Sequence, residues 1–296
     1  MRATVAASLF VVTSAHTGLA FACATCLCGD PTISMMGTEK PFAGRTRGSV
    51  DFLSRKETVG QPGINEHEID EKRVTYSLSY SPSEKWTFLA ALPVVQKEVR
   101  RFDLSTEKAS GVGDADLTAK WYVNYEQRLM EPDLWGMQFG LRVPTSTEQK
   151  SNGVPITFDA QPGAGATIPS IGLWYGRFAM PWFFYASATY QHAVTTGYQG
   201  YDAGDVLLAT AYTQYALEYK FALTFSLDAR SKKKDHYFGV PDPDSGGLLI
   251  MATPGLVWTP VTDLVVNLTV QIPAVENLNG YQKEKPVYRI GVSYDF

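Results

Sequence analysis

The sequence predicts an all-β chain: a transmembrane antiparallel up-and-down β-barrel of about twelve strands, with short periplasmic turns and longer external loops. Three observations carry this expectation. The chain opens on an export signal, alternates apolar and polar residues almost throughout, and connects its alternating segments by loops that are long and short in turn.

The export signal comes first. Met1-Arg2 supplies a positive start, Thr4 to Leu19 is mostly small and apolar, and Ala20-Phe21-Ala22 is an A-x-A cleavage site. Residues 1–22 are expected to be removed, so the mature chain begins at Cys23. No later stretch approaches the roughly 20 apolar residues of a spanning helix. The formal net charge is −4 and no basic stripe concentrates anywhere, so nucleic acid is not an expected partner. Aromatic residues make up 12% of the chain, a share that suits a surface meeting a lipid interface.

The alternation has period two. Val74, Tyr76, Leu78 and Tyr80 interleave with Thr75, Ser77 and Ser79. Leu117, Ala119 and Trp121 interleave with Asp116, Thr118 and Lys120, and the same pattern runs through 135–143, 221–228 and 264–272. One face of each segment is apolar and the other polar, the signature of a strand. The segments fall at 44–58, 72–82, 85–99, 112–126, 134–147, 164–177, 180–193, 204–218, 220–231, 247–259, 262–274 and 284–296. Each is long enough for a tilted membrane strand of about 9–11 residues. Long polar connections lie at 59–71, 100–111, 148–163, 194–203, 232–246 and 275–283, with short ones between them. Strict alternation puts every long loop at one end.

The tryptophans agree with this layout. Trp86, Trp135 and Trp182 follow short turns, whereas Trp121, Trp174 and Trp258 precede them, which predicts an aromatic girdle at one membrane interface. The final segment alternates Tyr288, Ile290, Val292, Tyr294 and Phe296 with Arg289, Gly291, Ser293 and Asp295. Such a strand would be an aggregation-prone edge in a soluble sheet, but a closed barrel pairs it with the first strand. The expected organisation is therefore a signal peptide at 1–22, a Cys-containing periplasmic segment at 23–43 and the barrel at 44–296, located in the outer membrane.

Several motifs, in order along the chain, resemble the outer-membrane family associated with the meta-pathway of phenol degradation. Gly111-Val112-Gly113-Asp114 resembles its G-x-G-D strand opening. Gly140-Leu141-Arg142-Val143-Pro144-Thr145 is similar to its G-x-K-x-P-T-G segment, with Ser146 in place of the last glycine. Gln161-Pro162-Gly163-Ala164-Gly165 resembles its Q-P-G-x-G loop. The resemblance implies a barrel that moves small solutes, aromatic ones among them, and transfers no catalytic residues.

In a barrel, function belongs to the lumen face. If Leu117 and Trp121 face lipid, then Asp114, Asp116, Lys120 and Asn124 face inward, and by the same phase so do Arg142, Asp228, Arg230, Arg289, Asp295, Asp51, Arg55 and Arg73. Charges of both signs suit a selectivity constriction, or equally a salt-bridged filling. The selectivity candidates are Asp114, Asp116, Lys120, Arg142, Asp228, Arg230 and Arg289. No cofactor is expected. No constellation of nucleophile and base argues for an enzyme.

All three cysteines, Cys23, Cys26 and Cys28, precede the first strand. An oxidising compartment favours a disulfide, thiolates at this spacing suit a soft metal, and Cys23 is also a candidate for lipidation. Two functions follow. One is a channel for small solutes. The other is a filled barrel whose Cys-rich segment docks a periplasmic redox or metal-handling partner. Expected surroundings are outer-membrane lipid and lipopolysaccharide. Lys232-Lys233-Lys234 is expected as a solvated charge run, the Asp242 to Gly246 stretch as a turn with some capacity for Ca²⁺, and His67 and His192 without evident partners.

Overall fold

The computed structural model describes residues 42–125 and 133–296. The Cys23–Cys26–Cys28 cluster and the signal segment lie outside the described residues.

Twelve strands form one antiparallel sheet that closes on itself. They are β1 (Thr46–Val59), β2 (His67–Ser83), β3 (Trp86–Arg101), β4 (Thr106–Val112 and Ala115–Tyr125), β5 (Asp133–Val143) and β6 (Ile168–Ala179). There follow β7 (Trp182–Gln191), β8 (Val206–Glu218), β9 (Phe221–Lys232), β10 (Gly247–Val261), β11 (Leu264–Leu278) and β12 (Gln282–Glu284 and Val287–Asp295). Each strand pairs with its sequence neighbours, and β12 closes the ring on β1 with Val50 opposite Val292 and Phe52 opposite Ile290. The Phe296 ring lies over Gly48, where an added Cβ would sit 3.2 Å from it.

The alternation sets the wall. Tyr76, Leu78, Tyr80, Leu117, Phe225, Leu227, Ile290 and Val292 are exposed on the outer surface, while Arg47, Arg55, Glu71, Lys97, Lys120 and Asp228 are buried on the inner one. An inside-out distribution of this kind needs lipid outside, because water would leave the apolar band unburied.

Four expectations from the sequence need correction. First, strands extend well into 59–71 and 100–111: β2 begins at His67, β3 reaches Arg101 and β4 begins at Thr106. These hairpins rise above the apolar band with charged residues on the outer face and Val59, Ile69, Val99 and Ala109 on the inner one. Cross-strand pairs such as Lys56–Asp70 (2.9 Å) and Lys108–Glu98 (2.9 Å) replace the alternation that would have marked them. Second, β5 ends at Val143 and β6 starts at Ile168, so the expected strand residues 144–147 and 164–167 belong to a long loop. Third, β11 continues to Leu278 through a bulge near Pro273, a length the sequence assigned to a loop. Fourth, Trp174 does not join the girdle. It sits at the short-turn end but points inward, buried between Tyr122 and Tyr185. Position along the strand was legible, but the β6 phase puts Leu173 and Tyr175 outside.

Candidate functional site: the barrel lumen

The outer mouth is narrowed by residues 144–167, which fold into the barrel. Residues 158–164 are buried without interruption. Ile156 and Ala160 pack on the inner wall formed by Val59, Ile69, Val99 and Ala109. Phe158 stacks on Tyr201 with ring centroids 4.2 Å apart and meets Tyr237 edge-on. The Gln161 side chain closes the loop on itself: its Oε1 accepts from the Gln149 N–H (2.8 Å) and its Nε2 donates to the Gln149 carbonyl (3.0 Å).

Asp114 anchors this loop. One extra residue at Gly113-Asp114, opposite β3, shifts the phase of β4 so that Asp114 faces inward. Its Oδ1 accepts the Ser146 N–H (3.2 Å) and hydroxyl (2.5 Å), and its Oδ2 accepts the N–H groups of Ala164 (2.8 Å) and Gly165 (3.0 Å). Thr145 holds the bulge: its hydroxyl donates to the Gly113 carbonyl (2.8 Å) and accepts the Ala115 N–H (2.9 Å). Gly163 leaves the room this contact needs, since a Cβ there would lie 2.8 Å from the Asp114 carboxyl carbon. Three motifs distant in sequence are thus one latch.

Beneath the loop lies a layer of buried charge. Arg55 donates to Glu284 from Nε (2.5 Å) and Nη2 (2.9 Å), and to Glu57 from Nη2 (2.6 Å). Glu71 stands opposite Arg55 on one side and Lys97 on the other, and pairs with Arg73. Arg230 acts on Glu57 electrostatically from β9. The sequence named Arg55, Arg73 and Arg230 here but missed Glu57, Glu71, Lys97 and Glu284. Glu57 lay inside the expected strand 44–58, two residues beyond inward Arg55, and the same phase reaches it; Glu71 was hidden because 59–71 read as a loop.

Lower in the lumen the remaining candidates separate into local arrangements. Arg142 pairs with Asp116, Nε to Oδ1 at 2.9 Å and Nη2 to Oδ2 at 3.3 Å. Asp228 accepts hydroxyl hydrogens from Thr210 (2.9 Å), Ser226 (2.7 Å) and Thr253 (2.9 Å). Arg289 faces Asp51. The Lys120 ammonium donates to the Tyr185 hydroxyl (2.9 Å) and lies 5.2 Å from the Trp174 ring centroid. Tyr122, Trp174, Tyr185, Phe178, Phe183 and Tyr212 make an aromatic patch on this part of the wall. Arg47 closes the short-turn end by a forked pair with Asp295.

The outer loops correct three further expectations. His67 Nε2 lies 3.2 Å from Asp159 Oδ2, and His192 Nδ1 lies 2.6 Å from Asp205 Oδ1, so both histidines have partners. Their partners come from loops distant in sequence, which spacing alone does not reveal. The lysine run divides: Lys232 is buried against Asp235 (2.7 Å), while exposed Lys233 bonds Asp205 (2.7 Å). The β9 phase turns Lys232 inward. Among the described residues no group of three or more His, Cys, Asp or Glu is arranged to hold a metal. Asp242 caps the expected turn, its Oδ1 accepting the Asp244 N–H (3.0 Å).

Burial, with Asp159, Asp235 and Asp244 nearby, pushes the Asp242 carboxyl up to about 7. The closed arrangement therefore holds a proton that a freely solvated Asp242 releases near 3.8. Its stability is full below that value, falls as pH rises toward about 7, and is flat above. Protection factors at 233–246, taken relative to intrinsic exchange at each pH, are expected to fall between pH 4 and 7. In an Asp242→Asn variant this pH dependence disappears; its persistence would assign it elsewhere.

No protein-family model matches this chain, and no curated protein does. Solved structures do. The crystal structure of an outer membrane channel from Pseudomonas putida F1 superposes with a TM-score of 0.69 at 13% identity, covering 90% of this chain and 100% of that one. This chain is an outer-membrane-type β-barrel. The translocator domain of the autotransporter NalP from Neisseria meningitidis superposes with a TM-score of 0.50 at 12% identity, covering 88% of this barrel and 91% of that domain. At these identities the likeness shows the fold and does not single out the meta-pathway family.

Proposed function

We propose that this barrel is a passive outer-membrane channel or facilitator for small solutes, with loop 144–167 as its outer constriction. The observation that carries it is the lumen itself: a closed barrel in which charges of both signs line the inner face along its length. A pathway of that kind replaces a solute's hydration stepwise instead of excluding it. The motif order resembles the meta-pathway family, whose likeness implies aromatic solutes among the cargo. The fold likeness to an outer membrane channel adds to this. Lipid covers the outer band, and lipopolysaccharide contacts the exposed Lys233 rim.

Uninterrupted burial of 158–164 favours a second reading, a filled barrel that docks a periplasmic redox or metal-handling partner through segment 23–43. Liposome swelling with charged, sugar and aromatic solutes separates the two. Swelling with at least one class supports the channel; none, together with no current in planar bilayers, leaves the docking barrel. Asp116→Ala and Arg142→Ala are expected to shift reversal potentials in opposite directions, toward anions and toward cations respectively. Identical selectivity in wild type and both variants would remove this pair from the pathway.

A further inference from the structure

We propose that a groove in the outer wall seats one acyl chain of a phospholipid from the leaflet at the short-turn end, and holds that lipid while its neighbours exchange. The seat is on the outside of the barrel, so it stands whether or not the lumen conducts.

The groove takes up about 530 Å³ and is open along its outer side. Such a volume lies in the range of ligand pockets. It arises from the order of outward residues across five strands. One row of cross-strand neighbours, from β12 through β1, β2 and β3 to β4, reads Tyr294, Gly48, Leu78, Ala90 and Leu117. Bulky and small residues alternate along it, so the wall dips at Gly48 and again at Ala90. The Phe296 ring leans over the first dip and forms its rim, 3.2 Å from where a Gly48 Cβ would be. No charged side chain lines the groove.

Its place on the wall names the occupant. The row belongs to the apolar outer band, so hydrocarbon covers it. One row nearer the short turns stand Tyr80 and Phe88, which are cross-strand neighbours. Phe88 stacks on Trp86 of the girdle with ring centroids 5.9 Å apart. Two residues of strand are about 7 Å, so the groove begins just inside the level at which aromatic side chains meet headgroups. A phospholipid whose headgroup rests at that girdle has its chain at the height of the groove. A chain that leaves bulk hydrocarbon gains no hydrophobic free energy; close contact retains it, and small residues in a wall are what permit close approach within lipid. A second barrel fits less well. Stable interfaces bury about 800 Å² per partner, whereas two convex walls meet along a line and the bulky Tyr294, Leu78 and Leu117 hold them off the dips. A single flexible chain reaches the floor.

Native mass spectrometry of the detergent-solubilised full chain with palmitoyl-oleoyl phosphatidylethanolamine is expected to show one lipid retained after the others are stripped. Ala90→Leu fills a dip and is expected to lower the retained fraction by about fivefold or more, the worth of about ten close atom contacts. Ala115→Leu, at a second position lining the groove, should act in the same direction. Ala211→Leu adds the same bulk to an outward position on β8 and should leave retention unchanged. Heat-modifiable gel migration establishes that each variant is folded. A barrel that passes no solute yet retains the lipid keeps the seat and sinks the channel. No lipid retained by wild type overturns the seat, as does retention that is equal in wild type and both folded groove variants or equally reduced by Ala211→Leu. Retention of lipopolysaccharide in preference to phosphatidylethanolamine overturns the source. Wild-type dimers without lipid that Ala90→Leu converts to monomers overturn the occupant and give the groove to a second copy.

Discussion

Asp114→Ala is expected to release loop 144–167 from the outer mouth, raise single-channel conductance and expose the loop to protease on intact vesicles. The Asp114 carboxylate accepts four hydrogen bonds, three from backbone N–H groups and one from the Ser146 hydroxyl. Each bond to a charged acceptor is worth about 1.5–3 kcal/mol; the Ser146 hydroxyl keeps its contact with the Tyr198 hydroxyl (3.2 Å), while three backbone N–H groups lose this acceptor. The other anchors are apolar contacts of Phe158, Ile156 and Ala160, the Tyr198 hydroxyl on the Ser146 carbonyl (2.5 Å), and polar contacts of Thr157 with Arg101 and Glu107, of Asp159 with His67 and of the Ile156 carbonyl with Gln199. A loop that loses several kcal/mol of anchoring samples the open mouth. Asp114→Asn keeps the shape and part of the acceptor capacity, so it should fall between wild type and alanine. Ser146→Ala removes one hydroxyl and is expected to act more weakly. A folded Asp114→Ala barrel with unchanged conductance and a protected loop would show that the other contacts of the loop hold the constriction without Asp114.

The same residues show where legibility in the sequence stops. Alternation sufficed for the wall: outward Leu117, Phe225 and Ile290 and inward Arg55, Lys120, Arg142 and Asp228 follow from a period of two. A period says nothing about a loop that turns back into the barrel. Residues 144–147 and 164–167 are small and read as strand, yet among them only Ser146, Ala164 and Ala166 are buried, by filling the mouth rather than by pairing. The G-V-G-D, P-T-S and Q-P-G-A-G segments were visible as motifs. Their common purpose depends on a bulge that reverses the phase at Asp114, and a bulge is a tertiary choice. The charge layer was half visible for a related reason. Above the lipid band the outer face of β1 and β2 turns polar while Val59 and Ile69 lie inward beside Glu57 and Glu71, so the apolar positions no longer mark the outside. Where lipid dictates one face, sequence dictates the other; where it does not, contacts decide.

That layer makes the second strong prediction. Arg55→Met should destabilise the barrel by about 3–5 kcal/mol, because it leaves Glu57 and Glu284 as buried carboxylates without their shared cation. All three side chains are under one-tenth exposed. The loss comes mainly from the orphaned charges and only partly from the missing bonds. Arg55→Met combined with Glu57→Gln and Glu284→Gln is therefore expected to recover much of it, whereas Arg55→Lys, which keeps the charge but not the fork, should cost less than Arg55→Met. Urea unfolding in lipid vesicles, followed by tryptophan fluorescence, measures all three. A loss in Arg55→Met below about 1 kcal/mol, the scale of an exposed pair, would mean that water reaches this layer. The lumen would then be hydrated past the constriction, and the charges under loop 144–167 would line an aqueous path instead of filling the barrel.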